Sequence, residues 1–291
     1  MKNHVYTKIE QNPYRLLYVD LTKRCNMKCT NCYQHSGPDV EGTDITKEFL
    51  ENVCKRLPQK SEIRFCGGEP TLHKDLFEML DIARKYNHMP TVVSNGLKYN
   101  DPEFMKNVVK YKTTNWCIAL NGGFDPKLYK LMDGDEKYFE IKMSALDSLI
   151  KNKIPRIYVN FILIKKLTLK EFPKILDACI SKPIRGLKLR SLGYLGRNAN
   201  GEMTKVNPLS TKEFKIYVHD KYIPENEIKL IRSGLEPDCN ECCYRFYWKK
   251  LYMSFAEFAS ENSQKCWLRG KILNDYTIEP FFANMVKEDK K

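Results

Sequence analysis

Six apolar, β-rich stretches alternate with helix-patterned stretches over residues 16–192, and this alternation limits the fold more than any other feature of the chain. The strand-like stretches cover residues 16–21, 62–66, 90–94, 115–120, 156–164 and 186–192. Helical spacing fills the gaps. Phe49, Leu50, Val53 and Leu57 share a face behind a capping Thr46, and Leu76, Leu80 and Ala83 do so over residues 72–86. Pro102 opens a further helix, and two more are expected over residues 137–151 and 168–180. Strands joined by crossovers of that length lie parallel, with the helices packed back on the sheet. The expected class is α/β, a partial (β/α)6 TIM-like barrel, since six units are too few to close an eight-stranded one.

In such folds the C-terminal ends of the strands carry the site. Here the punctuation gathers on those ends: Cys25, Cys29 and Cys32 after the first strand, Gly67-Gly68-Glu69-Pro70 after the second, and Ser94-Asn95-Gly96 after the third. Asn121-Gly122 follows the fourth, Lys165 the fifth, and Gly193-Tyr194-Leu195-Gly196-Arg197 the sixth. The cysteines are spaced C-x3-C-x2-C. Three thiols on one short loop can cap three corners of an iron–sulfur cube and leave the fourth iron without a protein ligand. A zinc site is the competing reading, but it leaves the glycine motif unexplained.

The alternation stops near residue 198, and residues 199–202 read as a linker. The expected division is a core over residues 1–200 and a C-terminal cysteine-containing module over residues 201–291. Modules that small often need a metal or cluster to stabilise them. Pro208 to Glu213 offers a helix start, and the rest of the module is aromatic-rich, with Tyr244-Arg245-Phe246-Tyr247-Trp248 read as core packing. Its cysteines are Cys239, Cys242, Cys243 and Cys266. Four such thiols suit an auxiliary cluster, a structural zinc, or no metal at all.

The chain holds 11 cysteines, no apolar h-region in MKNHVYTKIEQNPY and no run near the ~18 apolar residues of a membrane span, so a cytoplasmic, membrane-free protein is expected. In that compartment clustered cysteines bind metal more often than they form disulfides. Cys54, Cys66, Cys117 and Cys179 lie on apolar faces and read as small buried hydrophobes. His35, His73 and His88 show no catalytic pairing. The formal net charge of +13 favours anionic partners. A solvated, lysine-rich surface explains it more simply than nucleic acid binding does, because no basic block forms an arm or tail.

C-x3-C-x2-C after the first strand, Gly-Gly-Glu-Pro after the second, Ser-Asn-Gly after the third and Leu-Gly-Arg after the sixth together resemble the radical S-adenosylmethionine (SAM) enzymes, over residues 14–200. The resemblance implies a 4Fe–4S cluster held by Cys25, Cys29 and Cys32, with SAM chelating the open iron through its amino and carboxylate groups. One electron from an external donor such as flavodoxin or ferredoxin would then cleave the sulfonium, and the 5′-deoxyadenosyl radical would take a hydrogen atom from the substrate. It further implies that Gly67 and Gly68 let backbone approach SAM, that Glu69 or carbonyls near Pro70 accept from its ammonium, and that Ser94 and Asn95 face its ribose or methionine end. Asn121, Asn160 and Arg190 are further cofactor-binding candidates, Arg190 through the SAM carboxylate, and Tyr33 would stack near the adenine. The expected substrate is a peptide, a protein side chain or a small metabolite, with a nucleotide or tRNA base as the alternative and a non-catalytic scaffold as the third reading.

Two departures narrow the relatives. The aromatic residue that many members carry just before the third cysteine is Asn31 here, and Tyr33 follows instead. Ala119-Leu120-Asn121-Gly122 replaces the Ser-Leu-Asp-Gly of members with C-terminal clusters, losing a hydroxyl and a carboxylate. The C-terminal cysteines resemble the auxiliary-cluster modules called SPASM and twitch. Phe281 stands where their hairpin usually ends in cysteine, so at most one auxiliary 4Fe–4S cluster is implied, on Cys239, Cys242 and Cys266 with Cys243 a possible fourth ligand.

Overall fold

All six patterned strands form, and each pairs in parallel with the next. The structure is a computed structural model that describes residues 6–193, 196–198, 209–231, 243–258 and 268–281. In chain order the elements begin with β1 (Thr7–Lys8), β2 (Leu16–Thr22), α1 (Lys47–Arg56), β3 (Glu62–Gly67), α2 (Leu76–Lys85) and β4 (Met89–Ser94). They continue with α3 (Pro102–Lys110), β5 (Asn115–Ala119), α4 (Pro126–Asp133), α5 (Tyr138–Lys151), β6 (Ile157–Ile162), α6 (Phe172–Ser181) and β7 (Gly186–Arg190). The last are α7 (Thr211–Lys221), β8 (Ile228–Leu230), β9 (Cys243–Trp248), β10 (Leu251–Ala256), β11 (Arg269–Ile272) and β12 (Thr277–Pro280).

The described strands make one curled sheet in the order β1-β12-β11-β2-β3-β4-β5-β6-β7-β10-β9-β8. The six-strand parallel run β2 to β7 is the partial barrel. Two further strands extend it in parallel: β10 beside β7, with Tyr252 opposite Gly186, and β11 beside β2, with Arg269 opposite Leu16. Beyond them the hairpins β9-β10 and β11-β12, with β8 and β1, finish the edges antiparallel.

Side chains alternate along the strands, as a sheet covered on both faces requires. Leu17, Val19, Ile63, Phe65, Leu187 and Leu189 pack into the main core with helix residues such as Leu50, Val53, Leu80 and Leu176. The intervening Tyr18, Arg64, Cys66, Lys188 and Arg190 line the interior cavity. The helices obey their local signals. The Thr46 side chain accepts from the Phe49 amide at 3.1 Å to start α1. Asp101 caps α3 with Pro102 in its first turn. Two boundaries shift. Residues 70–72 form a 3-10 turn and α2 begins only at Leu76, because the Glu69 side chain caps the turn through the Thr71 amide. Likewise Thr168 is drawn back to β6, its hydroxyl donating to the Ile162 carbonyl, so α6 begins at Phe172 after a further 3-10 turn. Helix α4, which the alternation did not reveal, is capped by Asp125 and stopped by Gly134 at φ 94°. Among the described residues no helix is long and apolar enough to cross a membrane.

Candidate active site

The loop leaving β2 carries Cys25, Cys29 and Cys32, and neighbouring strand ends hold it from two sides. On one side the Gly68 amide donates to the Thr22 carbonyl at 2.7 Å and the Glu69 amide to the Arg24 carbonyl at 2.8 Å. A Cβ on Gly68 would lie 2.1 Å from the Arg24 oxygen, so only glycine permits this approach. On the other side the Arg197 amide donates to the Cys32 carbonyl at 3.0 Å and its Nη1 to the Cys29 carbonyl at 2.8 Å, while Nη2 reaches the Ser36 carbonyl. Gly196, at φ 59°, lets this segment press on the loop: a Cβ there would lie 2.1 Å from the Cys32 oxygen. The Thr30 amide donates to the Met132 carbonyl at the end of α4, at 3.0 Å. Met27 anchors the loop from below, fully buried.

The three thiols are free and line a single cavity of about 250 Å³. Burial pushes the Cys25 thiol up to about 11, and it pushes Cys29 up as well, with Asp133 adding to the effect. Lys142 acts in the opposite sense at Cys29, but burial outweighs it. Among the described residues no three His, Cys, Asp or Glu side chains converge as ligands of one metal ion.

The expected site residues are brought together, but several are engaged with one another. Gly67, Gly68, Glu69, Ser94, Asn95, Asn121, Asn160, Arg190 and Tyr33 all line the thiol cavity, whereas Pro70 lies behind it in the 3-10 turn. Glu69 is buried and accepts four hydrogen bonds, from the Thr71 amide (3.1 Å) and hydroxyl (2.6 Å), the Ser94 hydroxyl (2.8 Å) and the Asn95 amide (2.7 Å). Burial still raises its pKa. Its carboxylate therefore ties the ends of β3 and β4 together, while the Glu69 and Pro70 carbonyls accept from the Leu72 and His73 amides. Ser94 is engaged likewise, since it also accepts from the Gly96 amide at 2.9 Å. Asn95 Nδ2 donates to Asn26 Oδ1 at 2.8 Å and lies 3.9 Å from Cys25 Sγ, tying the β4 end to the loop. Asn121 Nδ2 donates to Asp133 Oδ1 at 2.9 Å, and Asp133 pairs with the buried Lys142 at 2.6 Å. Asn160 Oδ1 is buried without a hydrogen-bond partner.

Tyr33 packs beside Cys66, Asp20 and Phe281, its ring centroid 6.3 Å from that of Phe281. Arg190 sits among Tyr18, Arg64 and Arg269, with its guanidinium 5.9 Å from the Phe258 ring. Phe281 stacks on Tyr18 at 3.8 Å. Cys239, Cys242 and Cys266 fall outside the described residues, as do Tyr194, Leu195 and the expected linker. Cys243 is described: it is buried on β9 with its sulfur against Nη1 of Arg269.

The sequence reading missed the polar floor of the cavity: Tyr18, Arg64, Lys188 and, beside them, Glu62. Arg64 Nε donates to Glu62 Oε1 at 2.8 Å and Nη1 to the Tyr18 hydroxyl at 2.8 Å. Lys188 Nζ lies 3.6 Å from Glu62 Oε1. A signal was present, because Ile63-Arg64-Phe65 and Leu187-Lys188-Leu189-Arg190 place charges on the inward face of strands that are otherwise apolar.

The sequence pattern that defines the Radical SAM superfamily matches residues 19–179. A GTP 3',8-cyclase of Vibrio vulnificus is 25% identical over 252 residues, covering 78% of this chain and 73% of the relative. A 7,8-dihydro-6-hydroxymethylpterin dimethyltransferase of Methanocaldococcus jannaschii is 25% identical over 202 residues, covering 67% of this chain but 38% of the relative. In fold, the chain is similar to Streptococcus suis SuiB bound to the precursor peptide SuiA, with a TM-score of 0.62 at 14% identity, over 94% of this chain and 62% of that one. Matched over more than half its length, the chain belongs to the radical SAM superfamily and is an enzyme whose chemistry draws on a 4Fe–4S cluster and S-adenosylmethionine.

Proposed function

We propose that Cys25, Cys29 and Cys32 hold the cluster and that the enzyme carries out hydrogen-atom abstraction on a small metabolite or a peptide side chain admitted to the cavity. The observation that carries this reading is that the three thiols, clamped between Gly68 and Arg197, face the same cavity as the exposed backbone of the glycine motif. The donor set fits: three thiolates serve three irons of a cube, and a loop too tightly held for a Cβ at Gly68 or Gly196 can present them in fixed positions. When bound, the cluster and SAM supply reductive cleavage of the sulfonium and a 5′-deoxyadenosyl radical.

The chain's own residues do the rest. Backbone carbonyls of residues 67–68 accept from the SAM ammonium, while Glu69 and Ser94 keep that backbone in place. Asn95 orients Cys25, and the unpaired Asn160 Oδ1 accepts from a ribose hydroxyl. Asn121 acts indirectly by holding Asp133 and Lys142 beside Cys29. Tyr33, with Phe281, Tyr18 and Phe258, excludes water from the side of the cavity. The electron comes from a partner such as flavodoxin or ferredoxin.

Similarity to the GTP 3',8-cyclases favours a second reading, in which the substrate is a nucleotide. Cys239, Cys242 and Cys266 remain the proposed ligands of an auxiliary 4Fe–4S cluster. With its sulfur against Arg269, Cys243 is better assigned to packing than to that ligand set.

The test is anaerobic reconstitution with iron and sulfide, then dithionite and SAM. The wild type should release 5′-deoxyadenosine and Cys25→Ala should not; absence of product from both, with unchanged iron content, would overturn the proposal. Residual iron in a Cys25/Cys29/Cys32 triple-alanine variant, about four per chain, would identify the auxiliary cluster, and none would remove it.

A further inference from the structure

The floor of the cavity is built from groups that a protein buries only at a cost. Arg64 and Lys188 are nearly inaccessible, and Arg190 joins them on the cavity wall. Arg64 and Lys188 thus share the carboxylate of Glu62, and no acidic side chain among the described residues is paired with Arg190. That carboxylate is already engaged, accepting from Arg64 Nε and, at 2.9 Å, from the Thr91 hydroxyl. Arg64 is further satisfied by the Tyr18 hydroxyl. Lys188 is not satisfied: its Nζ is buried without a hydrogen-bond partner, 3.6 Å from Glu62 and 4.6 Å from the Tyr158 ring centroid. Arg190 uses Nη1 on the Leu189 carbonyl at 2.8 Å. Behind them the buried Arg269 adds positive potential at Tyr18 and Arg190. Burial and Arg64 together lower the Lys188 pKa, as expected for an ammonium with too little negative charge beside it.

A buried ammonium that makes no hydrogen bond and shares one already engaged carboxylate is costly to a fold. We propose that Lys188 and Arg190, braced by Arg64, bind a compact oxyanion of the substrate, a phosphate or a carboxylate, at the floor of the cavity. Arg64 and Lys188 lie mid-strand, level with Tyr18, which precedes Thr22 at the loop end of β2 by four residues, about 13 Å at the rise of an extended strand, while Arg190 closes β7 two residues above Lys188. The oxyanion would therefore anchor the substrate below the thiol end and leave its other end toward the reacting centre. This rests on the reading of the cavity as the substrate site.

The test is calorimetric titration of inorganic phosphate, and separately of acetate, into anaerobic reconstituted holoenzyme saturated with SAM. One saturable site per chain is expected for at least one of the two anions, and the pair distinguishes a phosphate from a carboxylate site. Lys188→Met should weaken that binding at least tenfold and Lys188→Arg should restore part of it. Because the Lys188 ammonium makes no hydrogen bond and Arg64 still pairs with Glu62, Lys188→Met should melt close to the wild-type temperature in anion-free buffer, which separates lost binding from misfolding. No saturable binding of either anion, equal binding by Lys188→Met, or binding seen only without SAM would overturn the inference. The last result would assign the floor to the SAM carboxylate. Release of 5′-deoxyadenosine by the same wild-type preparation reports separately on the proposed function.

Discussion

Glu62 opens β3 and Glu69 follows its other end, and their surroundings drive them in opposite directions. Burial alone would raise Glu62, but Arg64 and Lys188 more than offset it and hold the carboxyl well below its ordinary value of 4.5. A carboxyl depressed in the folded state contributes stability above its unfolded pKa, and that contribution is lost as pH falls toward the folded one. Glu62→Gln should therefore cost roughly 3 kcal/mol near neutral pH, as removal of one member of a buried ion pair does. The two proteins should converge as pH drops below about 4.5, in urea melts at stepped pH. Glu69 has the reverse sign. Its pKa is raised, so its contribution falls as pH rises from 4.5 through the folded value. Glu69→Gln should abolish that slope, and it replaces an acceptor facing the Ser94 and Asn95 donors with an amide group. A loss of about 2 kcal/mol at acidic pH is expected from the broken hydrogen bonds.

At the scale of elements, the thiol loop has almost no regular structure of its own and takes its shape from strand ends. Gly68→Ala would force the loop stem off the end of β3, since the obstructing atoms are backbone oxygens rather than a flexible side-chain tip. Arg197→Ala would release the carbonyls of Cys29 and Ser36 on the opposite side. Both variants should retain less iron than wild type after anaerobic reconstitution and gel filtration. Gly68→Ala should be the more severe, with Arg197→Ala still binding iron but losing it faster to a chelator. The place of these residues was legible beforehand, since the glycine motif and Leu195-Gly196-Arg197 follow the second and sixth patterned strands, but Gly68 was expected to let backbone approach SAM, whereas it makes room for the loop itself. The engagement of Glu69 with Ser94 and Asn95, and of Asn121 with Asp133, was not legible: it depends on which way each side chain turns, and motif order is silent about that. The β11-β12 hairpin lies where the resemblance implied one, but β9 and β10 were hidden for another reason. Their alternation is blurred by a run of aromatics, and the β9-β10 turn uses Lys249 at φ 53° where an Asn-Gly pair would have announced it. The parallel partners of β10 and β11 lie far away in sequence, β7 for β10 and β2 for β11, so no local pattern reports the pairing.

For the whole molecule, the described sheet stays open, and a gap separates its two outer arms, β10-β9-β8 and β11-β12-β1, which do not pair with each other. Side chains bridge it: the Phe258 and Phe281 rings lie 6.1 Å apart, Phe281 stacks on Tyr18, and Arg269 of β11 reaches Cys243 of β9. Phe281→Ala removes the central ring of this group and should cost about 3 kcal/mol. It should also admit water and oxygen to the cavity, read as faster bleaching of the cluster absorbance in air than in wild type. Retention of wild-type bleaching kinetics would show that the aromatic group is not the barrier.

That arrangement also sets an order of events during synthesis. The thiol loop, the glycine motif and Arg197 leave the ribosome before any residue of β9 to β12. Until those strands arrive, the nascent chain is an open bowl whose rim already presents three cysteines. The two sides of the gap are then supplied almost together, since β10 ends at Ala256 and β11 begins at Arg269 on the opposite edge. A single late stretch of chain thus draws the bowl shut.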